Sequence, residues 1–441
     1  MDIPLNVLRG LLGIAAFLAI AVAFSANRRA IQWRLVAVGI ALQIVFAVLV
    51  LHVPPVRFLF DAVGHFFVQL LSFTKEGTSL LFGWLTRLAG GNVDDAAFTA
   101  GGPIFAITIL PSIVFFAAFS SLLYRLGILQ RVVYAIAWVM SRTMRLSGAE
   151  TLNAAANIFV GQTEAPLLIK PYLARMTRSE LLAVMIGGMA TIAGGVMAAY
   201  IVFLGGHDPA SQARWASHLL TASVLSAPAA LLTAKILLPQ EEEIDTRLHL
   251  DDERPGANLL DAIVLGTTDG VKLAVNVGAM LLVFTALVAM ANWMLATWLG
   301  SWTGLNGWIA TATRGAYDSL SLELLLGLIG APLAWLMGID SADIFHAGRL
   351  LGERTVLNEF YAYVSMSELQ ANGTLTNERT RIILAYALCG FSNLVSIGIQ
   401  VGGIGALVPT RRAELARLGW LALLGSTIAC SLTACVASML L

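Results

Sequence analysis

Charged side chains are scarce in this chain of 441 residues, because Asp, Glu, Lys and Arg together make up only 12% of it. Soluble domains contain about 25% of such residues, so a soluble chain of this length would lack the groups that cover its surface. The 27 basic and 27 acidic residues cancel, and no net field attracts nucleic acid. These shortages exclude a soluble enzyme, a disordered tail and a nucleic-acid-binding protein.

Cysteine and histidine are also too few, and too scattered, for a metal centre. The three cysteines, Cys389, Cys430 and Cys435, are an odd number and lie in apolar segments, which argues against disulfides. The six histidines form neither an HExxH motif nor a Ser/His pair. We therefore expect no enzyme activity and no organic cofactor.

Apolar residues are abundant, at 58% of the chain with a mean hydropathy of +0.80. A helix crosses a bilayer with about 20 apolar residues. Eight uncharged stretches reach or approach that length: 10–27, 35–56, 96–124, 181–207, 215–234, 273–313, 382–410 and 418–441. Residues 54–92 mix charges with Phe, Leu and Trp, which predicts interfacial helices. The sequence predicts an all-α polytopic membrane protein with eight transmembrane helices.

Basic residues predict the orientation of these helices. Arg28, Arg29 and Arg34 follow the first span, and the positive-inside rule places them in the cytoplasm. The N-terminus is then external, and an even number of spans returns the C-terminus to the same side. The polar stretch 241–257 is predicted to be a cytoplasmic linker in a protein of the bacterial inner membrane.

An order of elements occurs twice along the chain. Two interrupted apolar regions, 146–170 and 324–363, are each followed by a Gly-rich span and then by a further span. The first starts on the cytoplasmic side and the second on the external side, so the copies are inverted. Inverted repeats with discontinuous helices and re-entrant helical hairpins are typical of secondary transporters. The predicted units are scaffold helices (1–145), first repeat (146–240), linker (241–257), sixth helix (258–320) and second repeat (321–441).

Each interrupted region contains an isolated carboxylate, Glu164 in the first and Glu359 in the second. Placing a carboxylate in the bilayer costs about 3 kcal/mol, so each is a candidate functional residue. Gln162 and Thr163 precede Glu164 between a Gly and a Pro, where a helix break would let all three face one cavity. The alternative is that polar side chains only join neighbouring helices, and it stays open for single Asn and Ser residues.

The second broken span adds Phe391, Asn393 and Ser396 to this set. Acids, amides, hydroxyls and an aromatic ring suit a neutral solute with hydroxyls and a planar ring. They suit a phosphate or carboxylate poorly, since Arg354 is the only adjoining cation. A transporter of such a solute is favoured, and an ion channel is the alternative of another class.

The same residues identify a family. The runs 161–166 (GQTEAP), 352–363 (GERTVLNEFYAY) and 389–393 (CGFSN) resemble those of the concentrative nucleoside transporters. In the second run, Arg354 replaces the Lys of the family signature and Tyr361 replaces a Val. Arginine keeps the charge but not the compact ammonium geometry.

The resemblance implies a homotrimer in the lipid membrane, in which each protomer holds a uridine-like nucleoside between two re-entrant hairpins and two unwound helices. The base would be recognised by Gln162, Thr163 and Glu164, and Val196 would line the pocket around it. The ribose hydroxyls would form hydrogen bonds with Glu359, Asn393 and Ser396. Phe391 would contact the sugar or the base.

The resemblance also implies a coupling ion. The family's sodium site combines an Asn side chain, a hydroxyl and backbone carbonyls, which correspond here to Asn157, Thr191, Val160 and Ile192. Hard oxygen ligands from unwound backbone suit Na⁺, so Na⁺ is the expected coupling ion. Proton coupling through Glu164 or Glu359 is the alternative.

Overall fold

The computed structural model describes residues 3–83, 105–206, 208–247, 256–313 and 317–441. These residues are mostly helical and contain no strand. Three sequence predictions lie partly outside the described residues: the end of the interfacial region, the start of the third span and the middle of the linker.

The first part of the chain forms long helices. They are α1 (Ile3–Ala23), α2 (Trp33–His52), α3 (Pro54–Phe82), α4 (Leu110–Arg125) and α5 (Ile128–Met144). The α4 and α5 axes differ by 76°, and Gly127 between them has a φ of +75°, a left-handed conformation that glycine adopts easily. The region predicted to lie in the interface is one continuous 29-residue helix, α3, which is long and apolar enough to cross a membrane. Its interfacial position stays a prediction.

The first repeat consists of a hairpin, a broken helix and a long helix. Its elements are α6 (Gly148–Ala156), a 3-10 segment (Ala165–Ile169) running into α7 (Lys170–Leu173), α8 (Arg178–Ala190), α9 (Gly194–Gly205) and α10 (Pro209–Leu237). Capping boxes start α6 at Ser147 and α8 at Thr177, which explains why these short elements begin there.

The second part of the chain forms α11 to α18. They are α11 (Leu259–Met294), which continues as a π-helix (Leu295–Ser301), α12 (Leu305–Ala312), α13 (Leu322–Leu336), α14 (Ile344–Val356), α15 (Glu359–Ala371), α16 (Glu378–Leu388), α17 (Leu394–Leu407) and α18 (Arg412–Leu440).

Two boundaries differ from the sequence prediction. Helix α11 begins at Leu259 rather than at residue 273, because Asp269 and Lys272 lie on its exposed face, 3.5 Å apart, and do not interrupt it. The second interrupted region begins with the unbroken helix α13, which contains Pro332. The second hairpin is therefore α14 and α15, with its tip at Leu357 and Asn358.

The broken helix α8–α9 and helix α10 lie at the centre of the molecule. In their most apolar windows 100% and 94% of the residues are buried, against 17% for α3 and α11, which lie at the periphery. Helix α18 packs on α1, α8, α10, α16 and α17, and α4 packs on α9 and α11. Among the described residues, seven helices are long and apolar enough to span a membrane, or eight with the bent pair α4–α5.

A buried ion pair joins the first hairpin to α10. Lys235 Nζ lies 2.7 Å from Glu150 Oε2, and the two side chains are 3% and 0% exposed. Lys235 also donates to Ser179 Oγ at 3.0 Å and to Gln240 Oε1 at 3.2 Å. The charges are fully desolvated but surrounded by polar partners, so the pair depends on both members being present.

We expect Lys235→Met to destabilise the protein by about 3–5 kcal/mol, because it leaves the Glu150 carboxylate buried without a cation. The double variant Glu150→Gln with Lys235→Met should recover much of this loss. Thermal unfolding of the detergent-solubilised protein measures both effects.

The matched control is the ion pair at the other end of α10, between Arg214 and Glu378, which are 2.6 Å apart and about half exposed. Glu378→Gln should change stability by less than about 1 kcal/mol. Equal effects of Lys235→Met and Glu378→Gln would contradict the expectation.

Candidate functional site

The two broken helices meet at their breaks. Ser392 Oγ donates to Met189 O at the end of α8, 3.0 Å away, and Cys430 Sγ on α18 donates to Cys389 O at 3.0 Å. Gly390 has a φ of +140°, and a Cβ there would lie 2.8 Å from Met189 O. Only glycine therefore lets the two unwound segments approach this closely.

Glu359 lies where the second hairpin faces both broken helices. It is the first residue of α15, whose N-cap Asn358 accepts a hydrogen bond from Tyr361 N at 2.8 Å. Its carboxylate accepts hydrogen bonds from Tyr200 OH on α9 at 3.1 Å and from Asn393 Nδ2 at 2.8 Å. Glu359 is 3% exposed, so these donors compensate part of the cost of burying its carboxylate.

Gln162 at the tip of the first hairpin contacts α17. Its Nε2 donates to Ser396 Oγ at 3.2 Å, and its Oε1 accepts from Gln400 Nε2 at 3.1 Å. Gln400 Nε2 also donates to Met185 O on α8 at 3.0 Å. Asn393 caps α17 by accepting from Ser396 N at 2.8 Å, so the Glu359 and Gln162 contacts belong to one connected network.

The polar residues at the first hairpin tip do not share one cavity, contrary to the sequence prediction. Gln162 is buried against α17, and Thr163 also faces α17, where a Cβ at Gly403 would lie 2.9 Å from Thr163 Cγ2. The Glu164 carboxylate instead accepts from Gly161 N. Residues 161–164 form a turn, with Glu164 N donating to Gly161 O at 3.1 Å, and consecutive side chains in a turn point in different directions.

Glu164 lines a separate cavity of about 330 Å³ between the first hairpin and helices α4 and α11. Tyr124 and Asp269 line the same cavity. Val196 is buried on α9, and Phe391 is half-buried in the second break, where its carbonyl accepts from Asn393 N at 2.8 Å. The network thus includes Gln162, Glu359, Phe391, Asn393 and Ser396, whereas no side-chain hydrogen bond within the described residues joins Thr163, Glu164 or Val196 to it.

The predicted sodium ligands with side-chain oxygens lie on neighbouring elements. Asn157 is fully buried, and its Oδ1 has no hydrogen-bond partner among the described residues. Its Nδ2 donates to Asn153 O at 3.0 Å, which fixes the amide. Thr191 Oγ1 is buried and donates to Gly187 O at 2.9 Å, which leaves its lone pairs for a cation. An unsatisfied buried amide oxygen fits a hard cation.

The two predicted carbonyl ligands lie in unwound backbone. Val160 follows the end of α6, and Ile192 lies in the break between α8 and α9. Gly194 N donates to Phe159 O at 3.0 Å and so holds these segments together. The described residues contain no cluster of three or more His, Cys, Asp or Glu side chains suited to a metal.

Two residues of the network, Tyr200 and Gln400, were missed by the sequence analysis. Tyr200 follows Val196 by four residues on α9, and Gln400 follows Ser396 by four residues on α17. Residues four apart share a helix face. That spacing was the available signal, but an isolated Tyr or Gln in an apolar helix does not reveal its partner.

Comparison with known proteins assigns the chain to a family. Residues 218–438 match the family described as Na+ dependent nucleoside transporter C-terminus, 12–85 match the corresponding N-terminus, and 106–206 match a nucleoside recognition domain. An uncharacterized transporter of Haemophilus influenzae is 38% identical over 439 residues, with 99% of this chain and 98% of that protein covered. The chain belongs to the concentrative nucleoside transporter family.

The structure agrees with this membership. The substrate-bound inward-facing structure of CNTnw is 36% identical and superposes with a TM-score of 0.85, with 99% of this chain and 98% of CNTnw covered. Rat sodium/nucleoside cotransporter 1 is 39% identical over 446 residues, but this chain spans 63% of that longer protein. The predicted fold class, all-α with several membrane-spanning helices, is confirmed.

This concentrative nucleoside transporter is a multi-pass membrane protein, and its family is one of transporters. CNTnw has been solved in inward-facing, outward-facing and intermediate states, which supports alternating access as the transport mechanism of the family. Among the function classes considered from the sequence, family membership favours the transporter over the ion channel.

We expect Tyr200→Phe to weaken uridine binding at least about tenfold, because it removes one hydrogen bond to the Glu359 carboxylate. Gln400→Leu should weaken binding about 2- to 10-fold, because it removes a neutral hydrogen bond and releases the Gln162 side chain. Calorimetric titration of the detergent-solubilised protein measures this affinity. Tyr134→Phe, on the exposed face of α5, is the control, and unchanged affinity in both site variants would exclude these residues from the site.

Proposed function

We propose that this chain is a sodium-driven importer of nucleosides that works by alternating access in the bacterial inner membrane. The observation that supports it most is the buried Glu359 carboxylate. Tyr200 and Asn393 hold this carboxylate where the second hairpin faces both broken helices. Burying a carboxylate in the membrane costs free energy. Binding of a solute with hydroxyl groups accounts for its presence at this position.

The polar groups of Glu359, Asn393 and Ser396 suit the sugar of a nucleoside. Ribose hydroxyls donate to the Glu359 carboxylate, and the Asn393 amide and the Ser396 hydroxyl both donate and accept. These groups also lie within hydrogen-bond distance of one another. A deoxy analogue would leave a buried polar group unpaired at a cost of about 1–3 kcal/mol.

Recognition of the base is assigned to the first hairpin. Gln162 offers an amide that matches the polar edge of a base, and Thr163 and Glu164 extend the same tip. Val196 lines the base as an apolar surface, and Phe391 contacts the sugar or the base. Glu164 lies on the neighbouring cavity, so it would approach a base only through water or after movement of the hairpin.

Na⁺ is the proposed coupling ion, bound by Asn157, Thr191 and the carbonyls of Val160 and Ile192. The unpartnered Asn157 Oδ1 supports this assignment. Because Asn157, Val160 and Gln162 all belong to the first hairpin, a bound cation would order the segment that holds Gln162. One positive charge entering the cell gains about 2.3 kcal/mol per 100 mV of membrane potential.

The assembly and topology follow the sequence analysis and the family. A homotrimer surrounded by lipid is proposed, with both termini external and 241–257 as a cytoplasmic linker. The exposed apolar side chains of α3 and α11 fit contact with lipid or with neighbouring protomers. The proposed repeat units are 146–240 and 321–441, each of which contains one hairpin and one broken helix.

Purified protein in liposomes should accumulate radiolabelled uridine when a sodium gradient is imposed at constant pH. Replacing sodium by choline should abolish accumulation, and Asn157→Ala should raise the sodium concentration needed for half-maximal uptake. Uptake that follows a proton gradient and ignores sodium would instead establish the proton-coupled alternative, in which Glu359 or Glu164 takes up the proton.

Glu359→Gln and Asn393→Ala should each reduce uridine uptake by at least about tenfold, since they remove hydrogen bonds to a buried charged group. Glu368→Gln is the matched control, because Glu368 lies on the exposed face of the same helix α15. Comparison of uridine with 2′- and 3′-deoxyuridine should show that the variants discriminate less against the deoxy analogues. Full uptake by both site variants would remove Glu359 and Asn393 from the site.

A further inference from the structure

The end of helix α16 is held by the second hairpin. A helix ends with carbonyl groups that have no partner within the helix, and α16 ends at Leu388, directly before the break. Cys389 N donates to Tyr386 O at 3.3 Å. The carbonyls on either side, Ala385 O and Ala387 O, accept from side chains of the hairpin instead.

Arg354 is the first of these donors. It lies in the last turn of α14, is 1% exposed, and donates through Nη1 to Ala387 O. Among the described residues it forms no ion pair, and its Nε has no hydrogen-bond partner. A cation at a helix C-terminus is stabilised by the partial negative charge of the free carbonyls, which accounts for the position of this buried guanidinium.

Tyr363 is the second donor, from the other arm of the hairpin. Its hydroxyl donates to Ala385 O at 2.9 Å, and its ring stacks on Tyr200 with centroids 4.2 Å apart. Tyr200 in turn donates to Glu359. Both arms of the hairpin therefore donate hydrogen bonds to the C-terminal end of α16. Tyr363 also connects this helix end, through Tyr200, to the Glu359 carboxylate.

These contacts set the position of the second hairpin relative to the break between α16 and α17. Arg354 and Glu359 flank the hairpin tip, while Ala387 and Asn393 flank the unwound segment that contains Phe391. The far end of that segment is fixed by the Asn393 cap on Ser396 N. The contact from Arg354 to Ala387 fixes its near end.

We propose that Arg354 is a positioning residue for nucleoside recognition, which caps α16 and thereby sets the distance between Glu359 on the hairpin and Asn393 beyond the break. The inference rests on the proposed function, because it assigns both residues to the sugar. Arg354 itself touches no substrate; it acts through the backbone that presents Phe391 and Asn393.

The test is equilibrium binding of uridine and 2′,3′-dideoxyuridine to the detergent-solubilised protein at saturating sodium. Arg354→Met keeps an unbranched apolar stem but removes the guanidinium donor, and it should weaken uridine binding at least about tenfold. Dideoxyuridine binding should change far less, because that analogue lacks the hydroxyls that need Glu359 and Asn393 in register. Arg354→Lys keeps a cation and a donor and should stay within about threefold of wild type.

Arg379→Met is the matched control. Arg379 also donates to backbone carbonyls, Gly338 O at 2.7 Å and Ser438 O at 2.8 Å, but at the opposite end of α16. Uridine affinity and the half-saturating sodium concentration should both stay near wild-type values in this variant. Melting temperature and size-exclusion profile establish that each variant is folded.

Several outcomes would overturn the inference. Unchanged uridine affinity in folded Arg354→Met would do so, and so would equal weakening of uridine and dideoxyuridine, which would indicate a general packing defect. If Arg354→Met does not fold, Tyr363→Phe removes the other donor to α16, and unchanged affinity there has the same meaning. A wild-type protein that binds no uridine would overturn the proposed function first, whereas normal wild-type binding with unaffected variants would overturn only the role of Arg354.

Discussion

A break in a membrane helix leaves backbone groups without partners, and the rest of this structure depends on how those groups are satisfied. No water is available in the hydrocarbon core, so unwound backbone is tolerated only where protein or a cavity surrounds it. The two breaks satisfy this condition mutually: Ser392 donates to Met189 O, and Gly390 lets the segments touch. The hairpins add further partners: Arg354 and Tyr363 donate to carbonyls at the end of α16, and Phe159 O accepts from Gly194 N.

Function follows from the same constraint. Unwound segments present carbonyls and side chains in directions that a continuous helix does not allow, and the proposed sodium and nucleoside sites both use such segments. Glu359, Asn393 and Gln162 come from three elements and meet only because the breaks and hairpin tips converge. Their mutual hydrogen bonds show that these side chains lie close enough to contact one small solute.

Much of the fold was predictable, since apolar length indicates membrane helices and isolated carboxylates in apolar sequence indicate a site. Glu359 and Asn393 were both candidate residues in the sequence, and the structure places them in hydrogen-bond contact at 2.8 Å, while their role in binding stays a proposal. The errors have physical causes. Charges at Asp269 and Lys272 do not interrupt α11, because both side chains remain exposed at its surface. Pro332 does not end α13, although proline usually interrupts a soluble helix.

The sequence by itself determined the class of protein, the two repeats and the residue types of the site, because hydrophobicity and the cost of buried charge are local properties. Only the tertiary structure decided which polar groups meet. In the structure, Tyr200 and Gln400 belong to the hydrogen-bond network, and Glu164 lines a different cavity. Arg354 donates to the end of helix α16 rather than to a carboxylate. Each of these contacts joins residues distant in the chain or depends on the direction of a turn, which no local pattern encodes.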